Sequence, residues 1–103
     1  MASTGRLKQV RNGHRTNADR MMKDTESKLK DPKAYDVLKI SVAKLRKKMA
    51  DLEKVDADIL ETLTEDADIM EEIENSTEFT EKMVTMVTKA ELAIQYHDDK
   101  VKN

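Results

Sequence analysis

The side chains able to do chemistry are common in this sequence, but they do not converge. His14 and His97 stand far apart, and neither has a second His at helical spacing. A metal centre needs three or four ligands brought together, so both are expected to be ordinary solvated or half-buried histidines. Asp66, Asp68, Glu71, Glu72 and Glu74 form a dense run of carboxylates. Acid–base work by such a pair needs an apolar cavity that drives two carboxyl pKa values apart, which a small bundle does not supply. These residues are expected to form a solvated face. The chain has no Cys, which removes thiolate chemistry and disulfides and makes a reducing, cytoplasmic setting the default. No Ser/His/Asp arrangement and no phosphate-cradling glycine loop occurs. The chain is therefore expected not to be an enzyme and to use no metal, cofactor or small-molecule substrate.

What the sequence does display is charge. Residues 1–50 hold 14 Lys and Arg against 5 Asp and Glu, a net +9, and residues 51–103 hold 5 against 16, a net −11. Such a division calls for a partner outside the chain or for one half folding on the other. Arg6, Lys8, Arg11, Arg15 and Arg20 are the candidate polyanion-binding residues, and Lys44-Leu45-Arg46-Lys47-Lys48 would extend the patch. They would contact phosphates of RNA or DNA, or anionic lipid headgroups. No aromatic residue is interleaved to stack on bases. The bland reading is that these cations pair with the acidic half.

The elements that position these groups are helices. Two Gly, one Pro, no Trp and 39% charged residues do not describe a loop-rich or all-β protein. The 103 residues form one domain, and no apolar run approaches the ~18 residues of a membrane span. The first residues show neither an apolar signal segment nor a Gly at position 2, so neither secretion nor myristoylation is expected, and the Asn75-Ser76-Thr77 sequon is expected to be a chance match.

A basic helix is expected over 5–29, with Asn12-Gly13 as a local interruption worth about 1 kcal/mol of helix propensity. Asp31-Pro32 reads as the N-cap and first position of a second helix over 32–63. A heptad runs through that helix by way of Tyr35, Leu38, Val42, Leu45, Met49, Leu52, Asp56, Ile59 and Leu63, with Asp56 its one polar fault. Leu38, Leu45, Met49, Leu52, Ile59 and Leu63 are the candidate interaction residues. Six internal methionines (Met21, Met22, Met49, Met70, Met83 and Met86) read first as gap-fillers of a narrow core.

Thr62 and Glu65 have capping-box spacing, which favours a break and a third helix over 65–96 packing Ile69, Ile73, Met83, Val87, Ala90 and Ile94. The alternative is one unbroken helix continuing the heptad through Asp66, Met70, Ile73, Thr77, Thr80, Val84, Val87, Glu91 and Ile94, only five of which are apolar. Residues 97–103 read as a frayed tail. The fold expected is an all-α, three-helix up-down-up bundle with a long antiparallel coiled-coil-like hairpin. In it Arg6, Lys8, Arg11 and Arg15 come to the acidic end of the hairpin, as exposed pairs of a few tenths of a kcal/mol each.

The order of segments also carries a resemblance. A basic amphipathic start, Leu7-Lys8-Gln9-Val10-Arg11 to Met21, leads through Asp31-Pro32 into Lys44-Leu45-Arg46-Lys47-Lys48-Met49-Ala50-Asp51-Leu52-Glu53-Lys54 and Asp58-Ile59-Leu60-Glu61. An acidic stretch follows, and then a helix ending Ala90-Glu91-Leu92-Ala93-Ile94. Over residues 6–95 this resembles the N-terminal, Gag-like helical region of invertebrate BEL/Pao-type retroelement polyproteins. The resemblance implies a non-enzymatic assembly segment that self-associates near the element's RNA. Nothing here matches the zinc-knuckle, protease or polymerase parts of such polyproteins, so no catalytic residue is carried over. The expected function is a protein–protein interaction module that binds itself or another helical protein, with RNA binding by the basic helix as the alternative. Leu45→Asp is expected to abolish helicity or assembly; unchanged circular dichroism and unchanged oligomer mass would together contradict the heptad reading.

Overall fold

The computed structural model describes residues 3–102 and contains α1 (Thr4–Leu29), α2 (Tyr35–Thr62) and α3 (Asp66–Lys102), with no strand among the described residues. The pairing of side chains gives the directions. Thr4 meets Thr62, and Lys28 meets Ser41, so α1 and α2 are antiparallel. Tyr35 stacks on His97 and Arg46 pairs with Glu91, so α2 and α3 are antiparallel as well. The result is the expected up-down-up bundle, 56 × 20 × 18 Å. Its long axis matches α3, whose 37 residues span about 55 Å at 1.5 Å per residue.

The heptad of α2 forms the centre of the core. Leu38, Leu45 and Ile59 have no exposed surface, and Leu52 and Val42 are buried with them. Ala18 and Met22 of α1 and Met83, Val87 and Ala90 of α3 close around the stripe. The small side chains of α1 matter because they let a helix with few large apolar residues lie close to α2. Of the six internal methionines, five are buried or half-buried and Met70 is 71% exposed.

Five local expectations need correction. Asp31-Pro32 does not start α2. Ala34 N–H donates to the Asp31 carbonyl at 3.0 Å and Lys33 N–H donates to Asp31 Oδ1 at 3.0 Å, which closes a turn with Pro at its second position. The helix begins three residues later, at Tyr35, with Ala34 as N-cap and no side-chain cap. Nor is there a capping box at Thr62: its hydroxyl donates to the Ile59 carbonyl at 2.7 Å and accepts from Thr4 Oγ1 at 2.6 Å. The break itself is real, since Leu63 is extended and α3 starts at Asp66 with an acidic first turn suited to the positive end of its dipole.

Residues 97–102 are helical rather than frayed, because His97 stacks on Tyr35 at 4.1 Å and Asp98 reaches Lys39 at 3.5 Å. Asn103 lies outside the described residues. The core stripe of α3 carries Glu72 (5% exposed), not Ile73 (48%), for reasons that lie in the ion cluster described below.

Asn12-Gly13 does not interrupt α1, which runs through it from a Ser3 N-cap whose Oγ accepts from Arg6 N–H at 3.2 Å. A Cβ built on Gly13 would meet nothing within 4 Å. Gly13→Ala is therefore expected to stabilise the fold by about 0.5–1 kcal/mol, read as a rise in Tm of several degrees in thermal unfolding. An unchanged or lower Tm would mean that this part of α1 is not held as a helix in solution.

Candidate functional site

The most unusual chemistry in the molecule sits at the single fault in the heptad. Asp56 occupies a core position of α2, and α1 answers it with Arg11, 5% exposed, whose Nη1 donates to Asp56 Oδ1 at 3.2 Å. The same Nη1 donates to Glu72 Oε2 of α3. One guanidinium thus joins all three helices. Burial acts to lower the Arg11 pKa, but the hydrogen bonds to Glu72 and Asp56 outweigh it, so the group ends above its ordinary value. An arginine already charged at any physiological pH becomes still harder to neutralise.

Arg15, one turn further along α1, is placed differently. Its guanidinium carbon lies 4.9 Å from the centroid of Phe79, and Lys82 Nζ lies 5.3 Å from the same ring. Its Nε and Nη2 are buried with no protein partner among the described residues. Burial, followed by the positive charge of Arg11, pulls its pKa below the ordinary value. The two arginines and two carboxylates balance in charge. Arg11 is held through Nη1 but its buried Nε has no protein partner among the described residues, and Arg15 has neither Nε nor Nη2 partnered. Buried ion clusters of this kind stabilise little against an apolar replacement, but they penalise any arrangement that separates their members.

The expected sites fare unequally. Of the heptad residues, Leu38, Leu45, Leu52 and Ile59 are consumed by the chain's own core, whereas Met49 and Leu63 are half-buried. The five-residue polyanion patch is not intact: Arg6, Lys8 and Arg20 are exposed, Arg11 is buried and Arg15 is half-buried. The basic run of α2 is also engaged. Arg46 pairs with Glu91 at 2.5 Å, Lys47 lies 3.9 Å from Asp51, and Lys48 Nζ lies 3.1 Å from His14 Nδ1. His14 and His97 are both half-buried. Among the described residues no three His, Asp or Glu side chains are grouped to hold a metal ion, and no helix is long and apolar enough to cross a membrane.

The first part of the continuous heptad, through Met70 to Val84, lies on the surface, whereas its later members Val87 and Ile94 pack in the core. Met70, Ile73 and Val84 are 71%, 48% and 45% exposed, and Thr77 and Thr80 between them are exposed too. Beside this stripe runs a groove of about 360 Å³ between α2 and α3, floored by Met49, Ala57, Leu60, Thr77 and Thr80. Sequence reasoning missed Glu72, Phe79 and Thr4 as structural partners. Asp56 was the only signal for the ion cluster, since a carboxylate at a core position requires a buried cation opposite it.

Comparison of the chain with models of known protein families, with curated proteins and with solved structures finds no match.

The contrast between the two arginines can be measured. Arg11→Met leaves two largely buried carboxylates facing each other and is expected to cost about 3–5 kcal/mol in urea unfolding. Arg15→Met gives up a cation–π contact but also removes unpartnered N–H groups, so a change of about 1 kcal/mol or less is expected. Equal losses from the two variants would contradict the assignment of Arg11 as the bridging residue.

Proposed function

We propose that this chain is a non-enzymatic protein–protein interaction module, a scaffolding or assembly unit that presents a helix-pair surface to another protein. The observation that carries the reading is the exposed heptad of α3. Single exposed apolar residues are normal on any protein surface. Here Met70, Ile73, Thr77, Thr80 and Val84 are all exposed in strict three-four steps, and Thr77 and Thr80 among them line an apolar groove. That spacing is what a second helix requires in order to pack. The assembly role implied by the Gag-like resemblance belongs to the same class, with a second copy of the chain as partner.

Binding of RNA by α1 has less support, because Arg11 is committed inside the bundle and Arg15 is stacked on Phe79. Arg6, Lys8 and Arg20 are left as a thin patch.

A helical peptide library displayed on phage and selected on the wild-type chain tests the reading. Enrichment of peptides that lose binding to the Ile73→Lys variant is expected, since that exposed substitution spoils the stripe without touching the core. A selection that yields nothing, or yields peptides indifferent to Ile73→Lys, would overturn the reading.

A further inference from the structure

Three concave regions of the surface differ in what they could accept. The groove between α1 and α3, about 830 Å³, has Met22 and Met86 in its floor, but its rim mixes both signs of charge. Lys82 lies 4.0 Å from Asp19 and Lys89 3.3 Å from Glu26, so this rim is largely complemented by the chain itself. The cleft of about 250 Å³ around Lys8, Arg11, Leu63 and Glu72 is the outer edge of the ion cluster already described.

The groove between α2 and α3 is different. Its floor is apolar, and the charged residues along it are Glu53, Asp56 and Glu81, all acidic. Asp56 is held by Arg11, whereas Glu53 and Glu81 are in no ion pair among the described residues. The surrounding sequence has the same character, since residues 51–81 hold 13 Asp and Glu and a single Lys. Arg6, Lys8, Arg11 and Arg15 of α1 and Lys54 offset part of this charge, but this end of the bundle stays net negative beside an apolar trough.

We propose that the α2–α3 groove is the docking site for a basic amphipathic helix of a partner protein. This rests on the reading of the chain as an interaction module and names the partner's chemistry. Apolar side chains of the incoming helix, spaced i, i+3, i+4 and i+7, enter between Met49 and Leu60 on one wall and Thr77 and Thr80 on the other. Its Lys and Arg side chains face Glu53 and Glu81. A helix in a groove fixes register through its anchors, and opposite charge along the rim speeds encounter and excludes wrong partners. A second copy laid symmetrically on the same stripe would bring acidic rim against acidic rim, a like-charge juxtaposition that disfavours it.

The test uses a fluorescein-labelled model peptide of about 18 residues, Leu on one helical face and Lys on the other, titrated with the full chain in fluorescence anisotropy. Binding with a Kd of about 1–10 μM is expected, weakening severalfold as salt is raised through the physiological range. Thr80→Arg, at an exposed position on the groove, is expected to weaken binding about tenfold or more with unchanged circular dichroism. Thr85→Arg, in the α1–α3 groove, is expected to leave it unchanged.

A peptide with Glu in place of Lys, or one of the same composition with its apolar face scrambled, is expected to bind at least about tenfold more weakly. Equal binding of either control peptide would overturn the proposal, and so would loss on Thr85→Arg but not on Thr80→Arg. Light scattering that shows the chain forming a dimer dispersed by Thr80→Arg would assign the groove to a second copy and overturn it too. If the phage selection succeeds with neutral or acidic helices while the lysine peptide fails, the interaction reading stands and this partner class falls.

Discussion

One buried guanidinium sets the terms for the rest of this bundle. Taking Arg11 out of water is tolerable only because Asp56 and Glu72 meet it from the other two helices, and each carboxylate is in turn tolerable only because of Arg11. The apolar contacts of α1 are few and small, so packing alone would discriminate weakly between neighbouring registers of that helix. Sliding α1 by one turn, about 5.4 Å, so that Leu7 took the place of Arg11 would leave Asp56 and Glu72 buried without a partner, whereas the opposite slide would offer them Arg15. The ion cluster therefore works as a register lock against the first slide, and the apolar core supplies the stabilisation that the lock does not.

The two ends of the bundle divide these tasks. Toward the 31–34 turn the layers are apolar or small, with Leu38, Val42, Leu45, Val87 and Ala90 in one core cluster with Ala18 and Met22, and the end is finished by the Tyr35–His97 stack. Toward the 63–65 turn the polar cluster replaces a full apolar layer, and Arg15 on Phe79 fills the space beside it. Because α3 must direct Glu72 inward, its helical phase turns Ile73 and Met70 outward. The exposed stripe and the α2–α3 groove are thus consequences of the same cluster. A surface suited to a partner arises where the chain has spent a core position on charge.

Much of this was legible in the residues. The helical class and the antiparallel course follow from composition, heptad spacing and complementary charge, whereas the sequence favours the break near residue 63 without excluding one unbroken helix. Asp56 stood out as a fault in an otherwise apolar series, and the basic residues of the first helix were expected at the acidic end. What pattern reasoning misjudged was depth: pairs expected on the surface are buried, and Arg11 and Arg15 were candidates for a polyanion they cannot freely meet. The Asp31-Pro32 and Thr62/Glu65 signals were also misassigned. A short polar side chain offers the same hydrogen bond to a turn as to a helix cap, and only the course of the chain decides between them.

The sequence by itself determined that the chain would be helical and that α2 would carry the dominant apolar stripe, because a three-four spacing of Leu, Ile and Val has one energetically sensible use in water. It favoured for α3 the stripe through Ile69, Ile73, Met83, Val87, Ala90 and Ile94 over the less apolar one through Met70, Ile73 and Val84, but it did not determine which residue faces the core at positions 72 and 73. Tertiary structure kept the first stripe at Ile69, Met83, Val87, Ala90 and Ile94 but put Glu72 inside in place of Ile73, since Arg11, Arg15 and Asp56 together carry one net positive charge that one more carboxylate balances. Hydrophobic periodicity reports the preference of a helix for one face against water. Which face wins when a buried charge must be answered depends on the groups that neighbouring helices deliver to that point in space.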